Sequence, residues 1–281
     1  MLGDIVGAAG RLAVTQCLPT LRERWRPHLV IANAENAANG SGLTPQLYQK
    51  LCDAGIDGMT LGDHVYRKKQ IVATLEKQPN ILRPANLPAG AKGRTWMRLV
   101  SRQGEDTPGV YVVTVLGRLF MNLPANDPFE TVESVISSLP EKDPIIVVEV
   151  HAEATSEKQA LGWHLNGRVA AVLGTHTHVP TADARILPPI SSTGDTPANA
   201  GGTAYISDLG MCGPHESVIG RQIDRVVSHM TTAMPTPFDV AERDPRVNGV
   251  FIEIDRRTRC ATTIERIELH ANPAAPPFVA R

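Results

Sequence analysis

Five apolar runs in this chain each stop at residues able to hold a cation. "MLG" runs into Asp4, "LVIANA" into Glu35-Asn36, and "GMTLG" into Asp63-His64. "PIIVVEV" ends at His151, and "VAAVLGT" at His176-Thr177-His178. Carboxylates bridge paired ions, imidazoles suit Zn, Fe, Mn or Co, and amide oxygens fill remaining positions. Several carboxylates beside several histidines point to two divalent ions rather than one closed structural zinc. Two ions about 3.5–4 Å apart can clamp both oxygens of an in-line phosphoryl displacement. Singly, each cluster has an ordinary explanation. An H-x-H is commonly a strand-end coincidence, and a Gly-Asp is usually a turn. Asn33, Glu35 and Asn36 suit the cap of a following segment, and His151 suits a satisfied interior histidine. The functional reading rests on all five occurring together. His28, His164, His215, His229 and His270 lack this context and read as surface or packing residues.

For these residues to meet, the runs must be neighbouring strands, since ligands gather at the carboxyl ends of strands in open α/β sheets. "HLVIANA" (28–34) reads as a buried strand. "TPQLYQKLCDAG" (44–55) reads as a helix with Thr44 as N-cap, Pro45 at the first position and Gly55 as the stop. "IDGMTLG" is a strand, "YRKKQIVATLEKQ" helical and "NILRPAN" extended. This rhythm indicates strands joined by helical crossovers. "TWMRLVSRQG" and "GVYVVTVLGRLFM" read as a β-hairpin or meander. A helix ("PFETVESVISSL"), a strand ("DPIIVVEV"), a short helix ("SEKQALGWHL") and a strand ("RVAAVLG") follow. Thr155 or Ser156 is expected to cap that short helix. "ISSTGDTPANAGG" (190–202) reads as a flexible surface loop. "TAYISDLG" is a strand, and "NGVFIEIDRRTRCATTIERIEL" two strands around a polar turn at 255–259. The glycines of "GMCGPHESVIG" (210–220) allow close approach of a substrate or a second subunit. Asp4 lies so near the first residue that most of its strand is expected to be missing, with its first residues unpaired. No repeat, low-complexity block or linker interrupts the chain, so one mixed α/β domain over 1–281 is expected.

The 281 residues carry a formal net charge of -1 with a pI near 6.8, and 42% are hydrophobic. This is an ordinary globular composition with enough apolar residues for a sizeable core. It argues against a dedicated nucleic-acid platform, which carries a basic excess, and leaves room for a small phosphate-bearing substrate. No apolar run approaches the roughly 20 residues of a membrane span, and no basic-then-apolar leader is seen. Cys17, Cys52, Cys212 and Cys260 are widely separated, which fits reduced thiols in a cytoplasmic protein.

"GDIVGAAGR", "NAENAANGSGLT", "LGDHVY", "RPANLP", "HAEATSEK", "GTHTHVPTADARILP" and "GTAYISDLGMCGP" together resemble the YmdB-like branch of the calcineurin-type metallophosphoesterases. The matching segments run in order from Gly3 to about Gly220, and the terminal hairpin is compatible. The resemblance implies a four-layer α/β/β/α metallophosphatase sandwich with mixed sheets and a dinuclear metal centre. It implies hydrolysis of 2′,3′-cyclic nucleotides with loss of the 2′ bond, and self-association. Carried over by motif, Asp4, Glu35, Asn36 and His178 serve one ion, with Glu35 bridging. Asp63, His151 and His176 serve the other, and His64 handles the leaving-group proton. Iron or manganese is favoured, with zinc or magnesium compatible. Arg83 and Asn86 in "RPAN" either contact substrate or fix their loop. Two departures stand out. The family has Gly-Asn-His where this chain has Gly62-Asp63-His64. It also begins with more apolar residues before its Gly-Asp, which either a start placed too far downstream or a truncated edge to the sheet would explain.

Charge counting shows what Asp63 changes. Two divalent ions with Asp4, Glu35, Asp63 and a hydroxide make a neutral core, whereas Asn at 63 would leave it positive. A neutral core attracts an anionic phosphodiester less strongly, while a carboxylate holds a cation more strongly than an amide oxygen does. Arg67, Lys68 and Lys69 either restore positive potential or form a solvated face. Two rival functions share the motifs. A broader phosphatase would turn over simple phosphomonoesters. A metal-binding regulatory protein would carry metal without metal-dependent turnover.

Overall fold

The structure is a computed structural model that describes residues 1–101, 108–188 and 202–272. Among these, the strands form two stacked sheets of six. The first sheet contains β1 (Leu2–Ile5), β2 (Ile31–Asn33), β3 (Gly58–Thr60), β10 (Met211–Pro214), β11 (Pro245–Ile254) and β12 (Ala261–His270). Its order is β12-β11-β10-β1-β2-β3, with β10, β1, β2 and β3 mutually parallel. The second contains β4 (Trp96–Leu99), β5 (Val110–Leu116), β6 (Ile145–His151), β7 (Ala171–Thr175), β8 (Arg185–Ile186) and β9 (Ala204–Ile206). Its order is β4-β5-β6-β7-β9-β8, parallel from β5 to β9 with an antiparallel strand at each edge.

Three apolar layers hold this together. Helix α1 (Gly7–Trp25) packs on β10 and β11, and with α2 (Pro45–Ala54) and α3 (Val72–Lys77) it covers the outer face of the first sheet. Helices α4 (Pro128–Ser137) and α5 (Thr155–His164) cover the second sheet around Val132 and Leu161. Between the sheets, Leu173, Ile206 and Leu209 meet Val250 and Ala261. A last helix, α6 (Ile223–Thr232), follows β10. The result is the expected α/β/β/α layering.

Local chemistry explains most boundaries. Thr44 accepts a hydrogen bond from Leu47 N–H at 3.2 Å and Gly55 closes α2 in the left-handed region, both as expected. Asp127 caps α4 by accepting from the N–H groups of Phe129 and Glu130. Other expectations need correction. The N-cap of α5 is Ala154, which offers no side-chain bond, so neither Thr155 nor Ser156 has a capping role. The helix expected over 66–78 is a 3₁₀ turn (Lys69–Ile71) followed by α3, and Arg67 and Lys69 are exposed. Within "GMCGPHESVIG" the first residues form β10, a central strand. The loop expected at 190–202 lies, except for Gly202, outside the described residues.

The first strand also differs from expectation. It is short but fully buried, and Leu2 is already paired with Ala32 on one side and Gly249 on the other. Asp4 is thus anchored in the middle of the sheet. The contact with the chain before β10 is close enough to exclude any side chain at position 3. A Cβ on Gly3 would lie 1.9 Å from the Gly210 carbonyl oxygen, which accepts the Asp4 N–H at 3.2 Å. Gly3→Ala is expected to destabilise the fold by about 3 kcal/mol, read as a lowered urea midpoint with unchanged slope.

Candidate metal centre

The parallel strands of both sheets end at the same edge, so their carboxyl ends converge there. Asp4 lies within β1, and Glu35 and Asn36 lie in the turn after β2. Asp63 and His64 follow β3, His151 closes β6, and His176 and His178 follow β7. The turn at Glu35 is fixed by Asn33, whose Oδ1 accepts the Glu35 N–H at 3.0 Å. Gly62 leaves room where a Cβ would come within 2.2 Å of His151 Nε2.

One group consists of Glu35, Asp63, His151 and His176, whose nearest ligand atoms all lie within 4.8 Å of one another. His151 Nε2 is 3.1 Å from Asp63 Oδ1, 3.4 Å from Glu35 Oε1 and 3.1 Å from His176 Nδ1. A second group lies on the other side of Glu35. His178 Nε2 is 3.1 Å from Asn36 Nδ2 and 4.0 Å from Asp4 Oδ1. Asn36 Nδ2 is also 3.2 Å from Glu35 Oε1. All seven residues expected to hold metal are thus brought together, with Glu35 between the two groups. His64 joins them, its N–H donating to Glu35 Oε2 at 2.9 Å and its Nδ1 lying 2.7 Å from Asn36 Oδ1.

These donors fit a cation. Asp4 is fully buried and, among the described residues, its Oδ1 has no hydrogen-bond partner, an arrangement that costs several kcal/mol unless positive charge is supplied. The Ile219 carbonyl accepts from His178 Nδ1 at 2.9 Å, which leaves the Nε2 lone pair on the side of Asn36 and Asp4. His151 Nδ1 lies 2.9 Å from Thr175 Oγ1, whose hydroxyl donates to Glu149 at 2.7 Å, and this aims His151 Nε2 into the cluster. His176 has Nε2 at 3.4 Å from Glu153, leaving Nδ1 on the inner side.

Glu149 is concealed from sequence reading inside an apolar strand. It is fully buried and accepts from Asn33, Thr114 and Thr175, each at 2.7 Å. A charge within "IIVVEV" is the available signal. Asn86 and Arg83 are drawn into backbone contacts instead. Asn86 donates to the carbonyls of Leu116 and Asn126 and accepts from Leu116 N–H. Arg83 donates to the Pro84 carbonyl at 2.7 Å. These contacts of both residues serve the loop.

The electrostatics follow from crowding acids away from water. Burial pushes the Asp4 carboxyl up to about 8, with His151 opposing and Glu35 adding to the rise. Burial also works against charge on Glu35 and Asp63, but nearby imidazoles, chiefly His151, hold both below the ordinary carboxylate range. His151 is raised well above an ordinary histidine, since Glu35 and Asp63 outweigh its burial. His178 is lowered by burial, which favours the neutral, ligating form.

Residues 1–267 match the family model described as YmdB-like protein. The chain belongs to the YmdB-like family. This YmdB-like chain is 41% identical over 266 residues to a 2′,3′-cyclic-nucleotide 2′-phosphodiesterase of Bacillus subtilis (strain 168), covering 95% of this chain and 94% of that protein. Its fold superposes on a hypothetical protein of Thermus thermophilus with a TM-score of 0.85 and 36% identity, covering 96% of this chain and 98% of the other. It also superposes on a novel phosphatase of Mycoplasma pneumoniae with a TM-score of 0.84 and 32% identity, covering 97% and 93% of the two chains.

A pH dependence follows for the metal-free protein. Asp4 rises from 3.8 in the unfolded chain to about 8, so its stabilising proton is held below pH 3.8 and lost as pH rises towards 8. His151, raised from 6.5, adds a loss of the same sign above pH 6.5. Glu35 and Asp63, depressed, contribute above their ordinary values of 4.5 and 3.8 and weaken the fold only on the acid side. The buried Met1 amino group, lowered from 8.0 to about 5, opposes Asp4 over the same interval, so with chelator present the fall in Tm expected between pH 6.5 and 8 is carried mainly by His151. Mn²⁺ displaces the Asp4 and His151 protons, so its stabilising effect should grow over that interval. Thermal unfolding with chelator and with Mn²⁺ across the interval checks this; an effect of Mn²⁺ that shrinks with pH would contradict it.

Proposed function

We propose that this protein, a phosphoester hydrolase, cleaves the 2′ bond of 2′,3′-cyclic nucleotides and releases 3′-nucleotides. The carrying observation is the convergence of two donor groups on Glu35, beside a buried Asp4 oxygen without a partner. The B. subtilis relative supports the substrate class. One domain over 1–281 serves the reaction in this reading. Four free thiols accord with a cytoplasmic setting.

Asp63, His151 and His176 would hold one divalent ion, and Asp4, Asn36 and His178 the other, with Glu35 shared. Iron or manganese suits the mixed oxygen and nitrogen donors, and zinc or magnesium is compatible. When bound, such a pair supplies an activated water and neutralises charge on the phosphate oxygens.

His64 moves the proton. As placed, Asn36 Oδ1 faces His64 Nδ1, and Asn36 Nδ2 faces His178 Nε2. Ligation through Asn36 Oδ1 requires that amide to turn over, which brings its Nδ2 against His64 Nδ1. His64 Nδ1 then accepts, and the ring carries its proton on Nε2, 3.7 Å from Asp63 Oδ2. A ligating Asn36 thus selects the tautomer that can donate to a departing ribose oxygen. Asp63 holds its position by facing His151 on one oxygen and His64 on the other.

His64→Ala is expected to lower kcat on a 2′,3′-cyclic nucleotide by about 10²–10⁴ with metal content unchanged. Asp63→Asn should preserve or raise turnover. Steady-state assays of the Mn²⁺-loaded variants, with a simple phosphomonoester in parallel, test both. Preferred turnover of the monoester would favour the broader phosphatase, and metal without turnover the regulatory protein.

Self-association belongs to the same reading, with a second copy of this chain as the occupant of α6. Its Ile223, Val227 and Met230, at helical spacing, are 45%, 47% and 76% exposed. Val227→Glu is expected to shift the protein to a smaller species in sedimentation velocity at equal concentration.

A further inference from the structure

Two motif segments are left without a task in the reaction, "ATSEK" and "ISDLG". The fold joins them. Lys158, in the first turn of α5, donates from Nζ to Asp208 Oδ2 at 2.8 Å, and both residues are 1% exposed. A lysine is disfavoured in the first turn of a helix, so local preference does not account for it. A buried ion pair is also poor evidence of stabilisation, since apolar residues of similar size often replace one without loss. Its other contacts show what it holds.

Asp208 Oδ2 also accepts the Thr177 N–H at 3.1 Å. Thr177 stands between His176 and His178, whose φ angles of 97° and 66° lie in the left-handed region that L side chains rarely adopt. Asp208 Oδ1 accepts the Gly210 N–H at 2.8 Å, and the Gly210 carbonyl accepts the Asp4 N–H. The Asp208 backbone exchanges hydrogen bonds with Thr181, which fixes the far end of the histidine loop. One carboxylate therefore reaches the loop bearing His176 and His178 and the chain that anchors Asp4, while being a ligand to neither group.

We propose that the Lys158–Asp208 pair is a positioning device for the metal centre. Asp208 supplies the acceptor that holds the Thr177 peptide, and Lys158 holds the carboxylate turned towards that peptide. The left-handed backbone on either side then aims both imidazoles inward. This rests on the metal-centre reading above.

The test compares two double variants with wild type, by Tm, by Mn²⁺ affinity of the metal-free protein, and by hydrogen exchange of the Thr177 amide in chelator. Lys158→Met with Asp208→Leu removes charge and acceptor together. It should fold with a lowered Tm, since the Thr177 and Gly210 N–H groups lose their acceptor, bind Mn²⁺ about ten- to a hundredfold more weakly, and exchange the Thr177 amide rapidly. Lys158→Met with Asp208→Asn keeps one acceptor oxygen, which when turned to Thr177 leaves Gly210 without its own, and should restore Thr177 protection and most of the Mn²⁺ affinity relative to the leucine variant. Wild-type affinity and unchanged Thr177 exchange in the leucine variant would overturn the proposal. So would an asparagine variant as impaired as the leucine one. If the leucine variant does not fold, rapid Thr177 exchange in metal-free wild type overturns the proposal and slow exchange with rescue by asparagine supports it. A wild type that binds no Mn²⁺ defeats the metal-centre reading alone, and the exchange comparison still decides the positioning claim.

Discussion

The burial of Asp4 is the constraint around which the rest of the molecule is organised. A carboxylate at the middle of a sheet, with one oxygen facing no donor, is unfavourable until a positive charge arrives. Glu35 and Asp63 bring more negative charge to the same edge, and His151 compensates by carrying a proton itself. The metal-free centre thus uses protonated side chains where a cation would serve. This explains why Asp4 and His151 are displaced upward while Glu35 and Asp63 are displaced downward. Burial drives the rise of Asp4, and the mutual attraction of His151 with Glu35 and Asp63 drives the other three.

Around that centre, the orientation of each imidazole is set by a group that does not itself face the cluster. The Ile219 carbonyl sets His178, Thr175 with Glu149 sets His151, and Glu153 sets His176. Glu149 ties three strands at once, since Thr114, His151 with Thr175, and Asn33 all meet through it. Asn33 then shapes the turn that presents Glu35. Precision at the site is therefore drawn from both sheets and from the rigid strands beneath it.

The strand ends bearing the candidate ligands are legible in the sequence because apolar runs stopping at Asp, Glu, Asn and His leave a strong pattern. The α2 boundaries are equally clear, with Thr44, Pro45 and Gly55 in their usual places. Helix α1 is not, because Pro19 inside it reads as a break and the first turns of its buried face are the small residues Gly7, Ala9, Gly10 and Ala13, ahead of Val14, Leu18 and Leu21. β10 is obscured by its glycine and proline and by lying beside a turn-rich segment. The expectation of an unpaired first strand fails for a tertiary reason. Its pairing is supplied by β2, β10 and β11, two of which come from more than two hundred residues away. Glu149 and the Lys158–Asp208 pair are visible only as residue types, because their meaning depends on which hydrogen bonds they accept.

The proposed ligand set divides between the sheets. Asp4, Glu35, Asn36 and Asp63 come from the first, whereas His151, His176 and His178 come from the second. A cation seated among them would therefore be a cross-link as well as a reagent. It closes a loop from Asp4 to His178 in the manner of a disulfide, with the chain-entropy advantage that long loops carry. Unlike a disulfide, it can be withdrawn by a chelator or supplied by a change in metal concentration. The rim at which the two sheets meet would then be tightened or loosened by the same ion that is proposed to serve the chemistry.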